Sequence, residues 1–256
     1  MDGIQAMAFR AIGVIPARYG ASRFPGKPLA LIAGVPMIVR VVRQARRAKR
    51  LSEVWVATDD RRIALAAEGA GARAVMTPAG LKSGTDRIAW AVRRERADVI
   101  VNIQGDEPLM APSAVDAAVE ELARDAEVLM STVVIPLADH REWRDPNVVK
   151  AVLGPKGDVL YFSRAPIPHP RDGGMPKAYK HMGLYGYRPA WLRRMAVLKP
   201  TPLEKTEKLE QLRAMENGVR IRAAVRRVES IAVDVPADVK KVERYLKRHK
   251  RPTQRD

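Results

Sequence analysis

Three cationic side chains lie close together near the start of the chain, in the stretch GVIPARYGASRFPGKPLA (13–30). Arg18, Arg23 and Lys27 follow a short apolar run, and two glycines lie among them. Glycine lets backbone N–H groups approach an anion closely, arginine matches phosphate oxygens with a planar fork, and lysine adds a mobile point charge. The stretch therefore indicates a triphosphate-binding loop, with an ordinary basic loop as the alternative.

This loop differs from both common phosphate-binding motifs. Five residues separate Gly20 from Gly26, where a P-loop has four, and Pro28 stands where a P-loop has the Ser or Thr that binds magnesium. The glycine spacing of a dinucleotide-binding turn is also missing. The motif alone therefore does not name the phosphate compound.

Two carboxylates each follow an apolar run. Asp106 lies in QGDEP (104–108), and Asp234 lies in VDVP (233–236). Two carboxylates together with substrate phosphate oxygens are a typical magnesium site, whereas either residue alone also suits a turn or a helix cap. The pair, in a chain with a cationic loop, predicts a bound Mg²⁺.

Two further segments carry candidate site residues. SGTDR (83–87) is typical of a helix start, with a hydroxyl cap and an acidic first turn, and its other interpretation is contact with a nucleotide. His181 lies between Lys180 and Tyr185 in YKHMGLYGYR. A lone histidine is more often structural, but this setting suits an acidic sugar.

The elements that must position these residues alternate between strand and helix over the first 135 residues. This rhythm predicts a mostly parallel sheet with helices on both faces, and in such sheets ligands bind beyond the carboxyl ends of the strands. Arg18, Asp59 and Asp106 each follow a predicted strand. We therefore expect these three side chains at one edge of the sheet.

The second half has a different pattern. Strands with short connections follow from about residue 127, PLEKTEKLEQLRAMENG (202–218) predicts one helix that ends at Gly218, SIAVDV (230–235) predicts a strand, and the last helix is expected from Pro236. The 256 residues suit a single domain. Within it, about 130–200 would form a smaller subregion, and 247–256 would be a basic tail.

The net charge of +17 raises the possibility of nucleic-acid binding. The densest basic run, RVVRQARRAKR (40–50), has the spacing of an amphipathic surface helix, and aromatic residues are only 5%, few for stacking bases. The absence of cysteine excludes disulfides and a thiol nucleophile. With no apolar run of about 20 residues and no signal-peptide pattern, the expected location is the cytoplasm, without membrane contact.

Taken together, the motifs resemble the 3-deoxy-manno-octulosonate cytidylyltransferase family. The resemblance is carried, in family order, by IPARYGASRFPGKPLA, VATDD, SGTDR, VNIQGDEP, YFSRAPIP, HMGLYGYR, PLEKTEKLEQLR and VDVPADV. It implies an α/β, Rossmann-like nucleotidyltransferase fold with a smaller mixed α/β part that builds a homodimer. It also implies a reaction that joins CTP to the acidic sugar Kdo, giving CMP-Kdo and pyrophosphate for lipopolysaccharide synthesis.

The resemblance also implies a role for individual residues. The triphosphate and the nucleotide would be held by Arg18, Ser22, Arg23, Lys27, Ser83, Gly84, Thr85, Arg87 and Gln104. Catalysis would depend on Arg18, Lys27 and Asp106, and magnesium would be held by Asp106 and Asp234. The sugar pocket would be lined by Arg164, His181, Tyr185, Glu210 and Gln211.

The chain departs from the family pattern at three places. Lys82 stands where a His or Gln often precedes SGT, Val235 replaces a Thr, and the loop reads YGAS where YAST is usual. A sister enzyme for an amino-substituted Kdo or a sialic-acid-like sugar is one alternative, although the loop differs from the PARGGSKG-like start of sialic-acid enzymes. A basic nucleic-acid-binding protein is the alternative from another class.

Overall fold

Within residues 9–20 and 24–249, which a computed structural model describes, nine strands form one sheet and two short strands form a separate pair. The strands are β1 (Ala11–Ala17), β2 (Leu31–Ile32), β3 (Val35–Pro36), β4 (Glu53–Thr58), β5 (Arg73–Met76), β6 (Val99–Asn102), β7 (Met130–Pro136), β8 (Lys150–Leu153), β9 (Val159–Ser163), β10 (Tyr179–Tyr187) and β11 (Ile221–Val225). β2 and β3 are the separate pair.

Nine α-helices and a 3₁₀ turn connect these strands in the described part of the chain. The helices are α1 (Met37–Ala45), α2 (Arg61–Gly69), α3 (Gly84–Ala91), α4 (Pro112–Arg124), α5 (His140–Arg144), α6 (Pro189–Val197), α7 (Pro202–Glu207), α8 (Gln211–Glu216) and α9 (Pro236–Arg248), and the 3₁₀ turn is Lys27–Leu29. None of these described helices is long and apolar enough to span a bilayer.

The sheet has a parallel half and a mixed half. The main strand order is β11-β7-β10-β6-β1-β4-β5, and β8 and β9 form a hairpin beside β10. β6, β1, β4 and β5 are parallel neighbours, whereas β10 runs antiparallel to both β6 and β7. The carboxyl ends of β1, β4 and β6 therefore lie at one edge, as predicted.

Side chains of β1 alternate between two apolar layers, which explains why helices cover both faces. Ile15 packs in the layer that contains α1, α2 and α4. Ile12 and Val14 pack in the other layer, with α3, α6 and α8. The β-α-β alternation of the first half thus gives the sandwich that it predicts.

Two sequence-based predictions for the second half are wrong. The segment 202–218 forms two helices, because Lys208 adopts a left-handed conformation (φ 56°) after α7. Ser163 Oγ and the Arg164 N–H both donate to the carboxylate of Glu207, which fixes the end of that helix against β9. Helix propensity is weak enough for tertiary contacts of this kind to override it.

The segment 230–235 is also not a strand. Its polar groups bond to the turn after β6 instead of to a sheet edge: the Val233 N–H donates to the Asp106 carbonyl at 2.9 Å, and the Ser230 hydroxyl donates to the Glu107 carboxylate. α9 then begins at Pro236 as predicted and continues to Arg248. The helix thus includes the first residues of the predicted tail, and 250–256 lie outside the described residues.

Candidate active site

A cavity of about 360 Å³ opens at the carboxyl ends of the parallel strands. Most of the residues predicted for the nucleotide line it. They are Arg18, Lys27, Ser83, Gly84, Arg87 and Gln104, and the predicted metal ligands Asp106 and Asp234 line the cavity with them, together with Lys82. Ser22 and Arg23, also predicted for the nucleotide, lie outside the described residues. The topology thus brings together four segments that are distant in sequence.

The ammonium group of Lys27 lies against both predicted metal ligands. Its Nζ is 2.7 Å from Asp106 Oδ2 and 3.9 Å from Asp234 Oδ1, and it donates to the Val233 carbonyl at 3.0 Å. Lys27 opens the 3₁₀ turn, directly after Gly26. Gly26 has a left-handed φ of 70°, and a Cβ there would lie 3.2 Å from the Tyr19 ring, so the turn requires glycine.

The turn after β6 packs tightly against the end of β1. A Cβ on Gly105 would lie 2.9 Å from the Pro16 carbonyl oxygen, closer than side chains tolerate. The close approach brings Gln104 and Asp106 into the cavity beside Arg18. Glycine in QGDEP is therefore needed for the close approach of two backbones.

Asp106 and Asp234 suit a magnesium ion by the chemistry of their donors. Magnesium in enzymes usually takes one or two carboxylates, with substrate phosphates and water completing its coordination. No group of three or more His, Cys, Asp or Glu side chains in the described residues could hold a metal by itself. The two carboxylates therefore fit a metal that shares its ligands with a phosphate.

Arg87 is buried and paired, although it lines the cavity. Its Nη2 is 3.1 Å from Asp59 Oδ2, with the two side chains 3% and 15% exposed, and its Nη1 donates to the Thr77 hydroxyl. Asp59 in turn accepts a hydrogen bond from the Tyr19 N–H at 3.3 Å. Arg87 is thus connected through Asp59 to the start of the cationic loop, and direct contact with a nucleotide stays a prediction.

The start of α3 lies between the cavity and a second polar cluster. Ser83 and Asp86 form a capping box, as SGTDR predicts. The Thr85 hydroxyl donates to Glu210 Oε2 at 2.6 Å, and its contact with a nucleotide stays a prediction. Glu210 is one of the residues predicted for the sugar, so α3 links the two predicted pockets.

The second cluster, which we call the acceptor cluster, contains His181, Tyr185, Glu210, Gln211 and Arg164. The Tyr185 hydroxyl donates to Gln211 Oε1 at 3.0 Å, and the rings of His181 and Tyr185 lie 5.2 Å apart. Glu210 Oε1 and Gln211 Nε2 are buried without a hydrogen-bond partner among the described residues. Buried polar atoms of this kind are expected to find a partner when a ligand binds.

His181 is neutral in this setting, because burial lowers its pKa to about 3. Its Nε2 lies 3.0 Å from the Thr132 hydroxyl. That hydroxyl donates its only proton to the Leu184 carbonyl at 2.8 Å, so it accepts from Nε2–H. A neutral His181 offers hydrogen bonding but no positive charge to an acidic sugar.

Arg164 is the cation of the acceptor cluster, and backbone carbonyls hold it on two sides. Its Nε donates to the Glu207 carbonyl at 2.8 Å, and its Nη1 donates to the Pro146 carbonyl at 2.9 Å. These contacts fix the direction of the guanidinium. Arg164 is thus bound to Glu207, which lies three residues before Glu210 in the chain.

Comparison with known proteins identifies the family. A sequence model described as cytidylyltransferase matches residues 12–221. The 3-deoxy-manno-octulosonate cytidylyltransferase of Myxococcus xanthus is 51% identical over 240 residues, which are 93% of this chain and 97% of that protein. The protein of the same name from Solibacter usitatus is 49% identical over 242 residues, 94% of this chain and 96% of its own.

The chain belongs to the 3-deoxy-manno-octulosonate cytidylyltransferase family. The structure agrees: a solved CMP:2-keto-3-deoxy-manno-octonic acid synthetase complexed with CTP superposes with a TM-score of 0.89 at 39% identity, covering 93% of this chain and 99% of that one. A cytidylyltransferase from Leptospira borgpetersenii, at 15% identity and a TM-score of 0.63, shares the fold. The predicted family and the predicted nucleotidyltransferase fold are confirmed.

In this member of the cytidylyltransferase family, sequence reasoning missed two polar residues beside the predicted metal ligands. Glu107 is 7% exposed and accepts from the Ser230 hydroxyl, and burial, opposed by that bond, raises its pKa to about 7. The pair joins the turn that carries Asp106 to the segment that carries Asp234. Only the acidic character of QGDEP pointed to Glu107, and nothing in the sequence around Ser230 pointed to its partner.

Proposed function

We propose that the protein transfers the cytidylyl group of CTP to Kdo, forming CMP-Kdo and releasing pyrophosphate. The observation that carries the proposal is the position of Lys27, held between Asp106 and Asp234 where the parallel strands end. Relatives of the protein that are named for this activity match nearly its whole chain. The lysine can meet a phosphate and the two carboxylates can take the divalent cation that accompanies it, so the three together suit a substrate that arrives with several phosphates.

The reaction needs no side-chain nucleophile. The anomeric hydroxyl of the sugar attacks the α-phosphorus, a new P–O bond forms, and the bond between the α- and β-phosphates breaks. Lys27 and Arg18 face the leaving pyrophosphate and offset its growing negative charge, which stabilises the transition state more than the bound substrate. When bound, Mg²⁺ on Asp106 and Asp234 would supply further charge neutralisation at phosphate oxygens.

Recognition of the acceptor rests on fixed polar groups. Arg164 offers the positive charge that the Kdo carboxylate requires. Gln211 Nε2, which has no hydrogen-bond partner among the described residues, and Glu210 Oε1, which lies 3.6 Å from Arg213 Nη2 without a hydrogen bond, are available to sugar hydroxyls. Tyr185 and the neutral His181 add hydrogen-bonding groups that are already oriented. A site of this kind selects by geometry, with one ion pair to fix the acid end of the sugar.

The proposed activity is tested by pyrophosphate release from each of the four nucleoside triphosphates with a panel of acidic sugars. CTP with Kdo should be the preferred pair, and release should require a divalent cation. Preference for an amino-substituted Kdo would change the acceptor, and preference for another triphosphate would overturn the nucleotide. Salt-dependent binding to duplex DNA without pyrophosphate release would favour the nucleic-acid alternative.

The same proposal includes a homodimer that acts in lipopolysaccharide synthesis in the cytoplasm. Apolar side chains in the predicted subregion support the dimer: Leu160 of β9 is 61% exposed and Val197 of α6 is 81% exposed. Light scattering should report twice the mass of the 28.4 kDa chain, and Leu160→Glu should reduce that mass to one chain. A wild-type monomer at micromolar concentration would contradict the dimer.

A further inference from the structure

Lys150, at the start of β8, has a fully buried side chain whose ammonium is surrounded by backbone carbonyls. Its Nζ donates to the Asp145 carbonyl at 2.8 Å, the Val148 carbonyl at 2.6 Å and the Arg164 carbonyl at 2.6 Å. An ammonium has three donors, and all three are used. The arrangement resembles a cation held by peptide oxygens.

Burying an ammonium group costs free energy, because the group loses its hydration. Burial lowers the pKa of Lys150. The charges of Asp145 and Glu207 oppose this shift only in part, and neither carboxylate accepts a hydrogen bond from the Nζ of Lys150. An apolar side chain of similar length, such as methionine, would avoid this cost only by leaving three carbonyls without their donor. The ammonium is therefore better explained by what it holds than by the stability it adds.

What it holds is the backbone around Arg164. One bond fixes the Arg164 carbonyl, and the other two fix the turn between α5 and β8 that contains Pro146. The Pro146 carbonyl is itself the acceptor for Nη1 of Arg164. Lys150 therefore fixes both the backbone of Arg164 and one of the groups that orient its guanidinium.

Hydrogen bonds of Arg164 also connect this region to the segment that carries Glu210. Glu207 accepts from the Arg164 N–H at 2.9 Å, and its carbonyl accepts from the Arg164 Nε at 2.8 Å. Glu207 ends α7, and the left-handed Lys208 then turns the chain toward Glu210. A shift of the Arg164 backbone would thus be transmitted to the segment that carries Glu210.

We propose that Lys150 is a positioning residue for the acceptor sugar, acting through Arg164 and the turn that contains Pro146. The proposal rests on the proposed function, because it takes Arg164 as the group that meets the sugar carboxylate. Lys150 itself does not line the nucleotide cavity. Its effect should therefore fall on the acceptor and leave CTP binding nearly unchanged.

The first test compares Lys150→Met with Lys156→Met, a matched change of an exposed lysine in the turn between β8 and β9. Lys150→Met should raise the KM for Kdo at least about 10-fold while the KM for CTP stays within about 3-fold of wild type. Lys156→Met should change neither. If Lys150→Met fails to fold, Lys150→Arg takes its place, because its planar fork keeps the charge but cannot reproduce the three bonds.

A chemical rescue separates the ammonium from the shape of the side chain. Because the chain contains no cysteine, Lys150→Cys provides a single thiol. Alkylation of the unfolded variant with 2-bromoethylamine and refolding gives a lysine-like side chain, whereas 1-bromopropane gives a neutral one of similar length. The aminoethyl protein should recover the wild-type KM for Kdo to within about 3-fold, and the propyl protein should not.

The outcomes distinguish the proposal from the function on which it rests. An unchanged KM for Kdo in folded Lys150→Met or Lys150→Arg, or equal recovery by both alkylated proteins, overturns the role of Lys150 alone. If Arg164→Ala also leaves the KM for Kdo unchanged, the placement of Arg164 is wrong and the proposal falls with it. A wild-type protein that releases no pyrophosphate from CTP and Kdo overturns the proposed function and this inference together.

Discussion

The nucleotide cavity and the acceptor cluster lie on opposite sides of α3 and use polar groups differently. In the cavity, charges of opposite sign touch and remain open to water: the side chains of Lys27, Asp106 and Asp234 are 17%, 27% and 54% exposed. In the acceptor cluster, most side chains are half-buried, His181 is neutral, and two buried polar atoms have no hydrogen-bond partner among the described residues.

The difference follows from the ligands that the two regions are proposed to bind. A triphosphate with its metal brings so much charge that the protein can exchange its own ion pairs for contacts with the ligand. A sugar brings hydroxyls and a single carboxylate, so its site gains most from groups that are already fixed. The nucleotide end should therefore be sensitive to charge, and the acceptor end to position.

The largest effect is expected at the helix that divides the two regions. Arg87→Ala removes the buried guanidinium that pairs with Asp59 and leaves that half-buried carboxylate only the Tyr19 N–H, and the loss of one member of a buried pair typically costs about 3–5 kcal/mol of unfolding free energy. Urea denaturation measures this loss, with Arg94→Ala, an exposed arginine just after α3, as the control. A large rise in the KM for CTP with unchanged stability would instead show that Arg87 is a nucleotide ligand.

The same division explains how much the sequence could predict. The parallel half could be predicted because its strands and helices alternate in a regular order, with residues such as Arg18 and Asp106 after the strand ends. The interruption of the predicted helix at Lys208 and the irregular segment 230–235 could not be predicted. Both depend on contacts with residues far away in sequence, namely Ser163, Glu107 and Asp106. Local patterns do not encode such partners.

The site shows the same limit. The sequence pointed to Lys27, Asp106 and Asp234 as charged residues beside strand ends, and these do meet. It could not show that Thr85 bonds to Glu210 or that Lys150 lies inside a ring of carbonyls. A lysine at the start of an apolar strand is normally expected at the surface.

The next effect concerns the charge of the nucleotide cavity. Asp106→Asn and Asp234→Asn keep size but remove charge, and each should lower kcat at least about 10²-fold, roughly 2.7 kcal/mol at the transition state, with the fold intact. Initial rates across a range of Mg²⁺ concentrations measure it. Asp172→Asn, at an exposed position, is the matched control. Near-normal turnover and an unchanged Mg²⁺ requirement in both variants would place the metal elsewhere.

A smaller effect is expected from pH at the acceptor end. Because burial lowers the pKa of His181 from 6.5 to about 3, the unfolded chain binds a proton in that range that the folded protein does not. This contribution to stability is present above pH 6.5 and is lost as the pH falls toward 3. One such group changes the unfolding free energy by about 2 kcal/mol between pH 6.5 and pH 5.

His181→Gln removes that titration, so its stability should depend less on pH than the wild type does. Urea denaturation at the two pH values, with exposed His169→Gln as the control, measures the difference. Equal pH dependence in His181→Gln and the wild type would mean that the imidazole titrates normally, and that the acceptor end carries a second cation below pH 6.5.

The smallest effect is expected from basic residues outside both regions. Arg43 lies in α1, and Arg47 lies in the turn that follows it. Both are exposed and face away from the buried Val41 and Ala45, as the amphipathic pattern predicts. Their field at the cavity is screened over about 8–10 Å at physiological salt. Changing both to Gln should leave kcat nearly unchanged and alter at most the salt dependence of kcat/KM for CTP, whereas Lys27→Ala should lower kcat by roughly 10²-fold.

Steady-state kinetics of both variants at two ionic strengths, with circular dichroism to confirm folding, would separate a charge that acts on the transition state from one that only attracts the substrate. A collapse of kcat in the correctly folded Arg43 and Arg47 variant would show that sensitivity to charge extends beyond the cavity to the surface of α1.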